Sequence, residues 1–150
     1  MRNKKIIAPA HVCYKTSIDV QIGDINYGGH VGNERYLLFA QETRLRFLRA
    51  IGHSEVHFGE FGLVLTESHV EYFNELFHGD SLEITLALTT PSRASFDCYY
   101  TITVTRNNTP ITAAVVKTAM VCFDYTERKV KSIPEALRGL LTRLAEGDLV

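Results

Sequence analysis

The stretch Val20–Phe47, VQIGDINYGGHVGNERYLLFAQETRLRF, decides how the chain is read. It opens with strand character, breaks at Gly28-Gly29 and continues at helical spacing. Glycine lacks the Cβ that opposes positive φ, and it lets a ligand approach the backbone closely. Asp24, Asn26, His30 and Asn33 crowd the break. A helix starting there presents unsatisfied amides and partial positive charge, which suits an oxygen that gains negative charge in a reaction. The stretch reads as a reactive or ligand-gripping turn.

Working outward, His11 to Val20 alternates Val12, Tyr14, Thr16, Ile18 and Val20 with polar residues, the period of a half-buried strand. Residues 1–10 are expected to form a loose arm. Beyond the turn, the spacing predicts a helix from about Asn33 to Ile51, apolar around most of its circumference and therefore buried. Gly52 is its expected stop. After a loop from His53 to Gly62, four strands are expected: Leu63–Phe73, one around Leu82–Leu88, one around Phe96–Val104, and Ile111 to about Phe123. Asn107-Asn108 is a hairpin turn signal between the last two. Ser132-Ile133-Pro134-Glu135 predicts a capping box opening a final short helix. One apolar helix with five strands is satisfied by a sheet that curls around the helix. The side left open predicts self-association through strands or helix.

At 150 residues the chain is expected to form one domain, 1–150, with a core that needs no staples. With 16 Lys+Arg against 17 Asp+Glu, no global basic field recruits nucleic acid or an anionic membrane. Cys13, Cys98 and Cys122 are odd in number and widely spaced, which fits buried thiols in a reducing compartment and a cytoplasmic location. No apolar run has the length of a membrane span. His53, His57, His69 and His78 show no metal-ligand spacing with a carboxylate, and no serine lies in a G-x-S-x-G context.

The motifs resemble one family. D-I-N-Y-G-G-H-V-G-N-E-R-Y followed by Q-E-T-R is similar to the D-x-D-x-x-G-H-V-N-N-x-x-Y and E-E-A-R runs of hotdog-fold acyl-CoA thioesterases of the 4-hydroxybenzoyl-CoA thioesterase type. Tyr72 with Gly79-Asp80, then Arg93-Ala94-Ser95-Phe96, then Ile133-Pro134-Glu135, continue the resemblance in order along the chain. It implies an α+β hotdog fold, a five-stranded antiparallel sheet around one long helix plus a short C-terminal helix. It also implies hydrolysis of an acyl-CoA thioester, no cofactor beyond the coenzyme A of the substrate, and a homodimer or homotetramer with its site at a subunit interface.

Carried over by position, the amide that grips the thioester carbonyl falls at or near Asn33, with Gly29 and Gly32 as substrate-binding positions of the turn. The family's catalytic Asp falls on Asn26, while the preceding acid is retained as Asp24. An amide takes no proton, so Asn26 is expected to orient a water. Its proton has three candidate acceptors: Glu42, Glu67 of a neighbouring subunit, and His30. Glu42 is favoured, on the expectation that it is buried on the helix. Arg93 and Ser95 match the region the family places near coenzyme A, and Lys129 and Lys131 are further candidates. The bland alternatives are Asx-turn roles for Asn26 and Asp24, helix capping for Asn33 and His30, and an ion pair for Glu42. The competing function is a non-hydrolytic acyl-thioester binding module, with Asn26 marking lost chemistry. A hotdog dehydratase or hydratase ranks behind both, because the chain shows no His-plus-acid arrangement for it.

Overall fold

The computed structural model describes residues 5–150. The first four residues of the expected arm lie outside the described residues. Six strands and two helices follow in the order β1 (Val12–Asp19), α1 (Arg35–Ala50), β2 (Gly62–Tyr72), β3 (Ser81–Leu88), β4 (Ser95–Arg106), β5 (Thr109–Asp124), β6 (Lys129–Val130) and α2 (Glu135–Ala145). A 3₁₀ turn over Ile22–Asp24 joins β1 to the glycine turn. The sheet is antiparallel in the order β1-β3-β4-β5-β2, and the two-residue β6 adds to the end of β5. This is the hotdog arrangement, with one short strand more than expected.

The alternation of β3 and β4 sets one buried face. Leu82, Ile84, Leu86 and Leu88 register against Val104, Ile102, Tyr100 and Cys98, and all eight are buried. Against this face α1 buries Tyr36, Phe39, Ala40, Thr43, Arg44, Phe47 and Leu48. Each large apolar side chain so buried contributes about 1.5–3 kcal/mol relative to exposure. The helix is less uniformly buried than its composition suggests, because Leu37 and Leu38 are exposed on the isolated chain. At the far end, α2 buries Leu137, Leu141 and Leu144, and Phe58 stacks on Phe96 with ring centroids 5.9 Å apart. Cys13, Cys98 and Cys122 are all free and buried.

Two terminal details differ from the sequence expectation. The α1 N-cap is Glu34, in helical conformation and without a side-chain cap bond, so Asn33 does not cap. The expected capping box at Ser132 does not form, since α2 begins after Pro134 and the Ser132 hydroxyl accepts from Arg93 Nη1 at 2.8 Å. The hairpin at Asn107-Asn108 does form, both residues taking positive φ (49° and 62°).

The two edges of the sheet differ. Along β1, Arg46 Nη1 donates to the Ser17 carbonyl at 2.9 Å and the Val150 amide donates to the Cys13 carbonyl at 2.9 Å. Along the other edge, among the described residues β2 pairs with β5 alone. Its stretch from Leu65 to His69 is exposed on both faces. A register shift between Leu65 and Glu67 turns Glu67, His69 and Glu71 to the outer face of the sheet, while Ser68, Val70 and Tyr72 face α1. Glu71, itself buried, accepts from the amides of Lys5 and Ile6 at 2.9 and 2.5 Å, fixing residues 5 and 6 of the arm against the outer face.

Candidate active site

The glycine turn is held by its own backbone. Asn26 N donates to the His30 carbonyl at 2.8 Å, and Gly29 N to the Asn26 carbonyl at 3.1 Å. The Asn26 Oδ1 accepts from Gly28 N at 2.9 Å, an Asx turn. Gly29 takes φ +84°, a conformation that favours glycine. A Cβ at Gly32 would come within 2.7 Å of the Glu34 carboxylate, which folds back over that position.

This geometry aims the start of α1 at a cavity of about 400 Å³. It is lined by Asn26, His30, Val31, Asn33, Tyr36, Tyr72, Phe73, Asn74 and Glu75. Arg35 N closes a turn onto the Gly32 carbonyl at 3.0 Å, while the amides of Asn33 and Glu34 have no backbone or side-chain acceptor among the described residues. These are the orphan donors of a helix N-terminus; Asn33 lines this cavity, and Glu34 lines a second hollow on the other side of the helix start. The Tyr72 hydroxyl donates to the Asn33 carbonyl at 2.8 Å, which ties the end of β2 to the helix start. Tyr36 meets the Tyr72 ring edge-on, centroids 5.0 Å apart.

His30 is the titratable ring in this cavity. Its Nδ1 lies 3.2 Å from the Val31 carbonyl and its Nε2 lies 3.8 Å from Glu75 Oε1. A carbonyl only accepts, so this contact assigns the proton to Nδ1 and leaves the Nε2 lone pair free in the neutral ring.

The remaining candidates separate from this group. Glu42 is exposed rather than buried, pairs with Arg46 one turn on at 3.3 Å, and does not line the cavity. The expectation that burial would make it a base is corrected, since the helix phase turns Glu42 towards β1, where Arg46 also reaches Thr16. Asp24 accepts from Gln21 N at 2.8 Å and stands 3.9 Å from Arg35, serving the 3₁₀ turn rather than the cavity. Glu67 pairs with His69 at 3.1 Å on the outer face. Lys131 pairs with Glu127 at 2.8 Å.

Arg93 and Ser95 lie at the opposite end of the sheet. Ser95 Oγ is 2.8 Å from Ser92 Oγ. Ser95 registers with Val121 and Tyr72 with Ala114, seven residues apart on β5; at the usual rise that is about 23 Å. Within one chain these residues do not join the cavity.

The sequence does not assign Tyr36, Asn74 and Glu75 to the site. Tyr36 belongs to the apolar stripe of α1, which reads as core. The signal for Asn74-Glu75 is a polar pair directly after the aromatic end of a strand. Phe39, one turn along the same helix face from Tyr36, is a core residue at 5% exposure.

A second hollow of about 520 Å³ lies between α1 and β2, among Leu37, Leu38, Gln41, Leu63, Leu65 and Met120. At its base Arg44, 4% exposed, donates from Nε to Glu55 at 2.6 Å and from Nη1 to the Tyr100 hydroxyl at 2.9 Å. Tyr100 is in turn 3.0 Å from the Thr118 hydroxyl. Burial opposes the charge on Arg44, and the Tyr100 and Glu55 partners outweigh that cost, so its pKa is raised. Among the described residues no group of three or more His, Cys, Asp or Glu side chains is placed to hold a metal ion, and no helix is long and apolar enough to cross a membrane.

A family model described as the thioesterase-like superfamily matches residues 20–141. No curated protein sequence matches the chain significantly. Among solved structures, the chain is similar to a 1,4-dihydroxy-2-naphthoyl-CoA thioesterase from Synechocystis, at 24% identity and TM-score 0.75, over 85% of this chain and 94% of that one. It is similar to a Staphylococcus aureus protein solved in complex with CoA, at 18% identity and TM-score 0.80, over 97% and 90% of the two chains. It is also similar to a thioesterase from Thermus thermophilus complexed with coenzyme A and Zn, at 22% identity and TM-score 0.74, over 88% and 94%.

Proposed function

Because the chain belongs to the thioesterase-like superfamily, we propose that it hydrolyses an acyl-CoA thioester to the free acid and CoA in the cavity beside the α1 N-terminus. The observation that carries this reading is the start of α1, whose Asn33 and Glu34 amides are uncommitted among the described residues, set where Asn33 lines a cavity that also holds Asn26 and His30. Water attacks the carbonyl carbon, and the carbonyl oxygen takes up negative charge against those amides and the helix dipole. Asn26 Oδ1 is committed to Gly28, which leaves its amide nitrogen to orient the water. The Nε2 of His30 takes the water proton and returns it to the departing thiolate as the C–S bond breaks. Glu75 supplies a counter-charge to the imidazolium at 3.8 Å. This role for His30 replaces the one expected of Glu42.

The site reads as complete only in a homodimer. A two-fold antiparallel pairing along the exposed Leu65–His69 stretch of β2 would bring the start of the partner's β4 beside this cavity. The partner's Arg93 and the partner's Ser95 then lie where the phosphates of coenzyme A leave the thioester, and guanidinium suits phosphate geometry. Leu37, Leu38 and Leu65, exposed on one chain, are covered by the same pairing.

The non-hydrolytic binding module remains the second reading, favoured by the Asx turn that already occupies Asn26. Free-thiol release from a panel of acyl-CoAs separates the two. Wild-type turnover that falls about 10²–10⁴-fold in His30→Ala supports the hydrolase. No turnover, with tight acyl-CoA binding by calorimetry, identifies a binder.

A further inference from the structure

Tyr36 is 4% exposed, and its hydroxyl has no hydrogen-bond partner among the described residues. Among the described residues the one fully enclosed side-chain polar atom without a partner is Arg138 Nε, so the Tyr36 hydroxyl is not sealed in: the ring is packed while its oxygen opens to the cavity, where water or a ligand can serve it. The neighbouring Tyr72 hydroxyl is already committed to the Asn33 carbonyl. Tyr36 therefore carries the uncommitted phenol in the cavity it lines. A helical side chain leans back towards the N-terminus, which carries the Tyr36 ring over the turn bearing the Asn33 and Glu34 amides.

We infer that the Tyr36 hydroxyl donates a hydrogen bond to the acyl carbonyl oxygen of the bound thioester, as the side-chain partner of the Asn33 and Glu34 amides. The inference rests on the hydrolase reading of the cavity and adds a residue to it. Burial, with smaller contributions from Tyr72, Glu75 and Asp80, pushes the Tyr36 hydroxyl up to about 12. It is thus a neutral donor at any working pH and no base. Of the atoms at the reacting centre of a thioester, the carbonyl oxygen is the strong acceptor and the sulfur a weak one. Donor and acceptor chemistry select the same contact.

The test is Tyr36→Phe, which removes one oxygen and keeps the ring. Turnover should fall about 10–100-fold with KM changed less than about threefold, the pattern of a donor that acts mainly in the transition state. Tm should hold or rise, because no internal hydrogen bond is lost. A second readout needs no turnover: a ¹³C-carbonyl ketone analogue of acyl-CoA, with methylene in place of sulfur, is bound and its carbonyl stretch recorded. Binding to wild type should lower the frequency, and Tyr36→Phe should lose part of that shift. A purely structural role for the phenol would lower Tm and leave the band where it is.

Equal turnover and an equal band in the variant overturn the inference alone. A band shift in wild type that shrinks in the variant, without thioester turnover in either, upholds the contact and overturns the hydrolase reading. Wild-type protein that takes up no analogue overturns both.

Discussion

Glu42 and Tyr36 stand six residues apart on one helix and have opposite fates. The first is exposed against Arg46; the second is enclosed beside Tyr72. Glu42→Gln should therefore leave acyl-CoA turnover within about twofold of wild type, since an exposed i,i+4 pair contributes only about 0.3–0.5 kcal/mol. A steady-state assay checks this, and a collapse of turnover would return Glu42 to the chemistry. Asn26, His30 and Asn33 were legible because their spacing around two glycines is unlike that of an ordinary loop. The face of Glu42 was not. With Leu37, Leu38, Phe39 and Phe47 spread around most of the helix circumference, hydrophobic periodicity fixes the helix but leaves its phase nearly undetermined. The sequence alone also gives no way to distinguish a tyrosine that packs from one that packs and points a free hydroxyl into a cavity.

At the scale of elements, the join between α1 and the sheet is partly polar. Arg44 reaches Glu55 in the following loop, Tyr100 on β4 and, through it, Thr118 on β5. Removing the guanidinium leaves the Glu55 carboxylate and the Tyr100 hydroxyl without their donor at the base of the hollow. Arg44→Met should lower stability by about 2–4 kcal/mol. Denaturant unfolding measures it, and a change below about 0.5 kcal/mol would mean that water enters the hollow and replaces the arginine. The strands were legible almost to the residue because β3 and β4 alternate without interruption. The register shift in β2 was not. One extra residue at Thr66 re-aims Glu67 to the outer face, and no local residue pattern marks it. The starts of both helices also escape the sequence, since backbone and proline geometry settle them where Asn33 and Ser132 offer plausible caps.

For the whole molecule, the open edge and the leucines beside it predict a dimer in which each cavity is completed by the other chain. Leu65→Glu places a charge in the middle of that surface. It should sediment as a folded monomer at micromolar concentration and lose most acyl-CoA turnover, although Leu65 lies outside the catalytic cavity. Wild-type protein that is itself a stable monomer at that concentration would remove the dimer and, with it, the placement of Arg93 and Ser95. The sequence predicts self-association from one apolar helix and too few strands to enclose it. It does not say which edge would be used, because strand order depends on long-range pairing.

The two sides of the sheet are unequal in a way that limits growth. Arg46 and the backbone of Val150 occupy two outward carbonyls of β1, those of Ser17 and Cys13, so a newcomer strand finds fewer acceptors there. Among the described residues, the exposed stretch of β2 from Leu65 to His69 is the margin that takes no second strand. In the dimer predicted through that stretch, each copy would spend this margin on the other, leaving the partly occupied β1 at both ends of the ribbon. Lateral growth is then expected to stop at two, with any larger particle assembled through the faces of the pair.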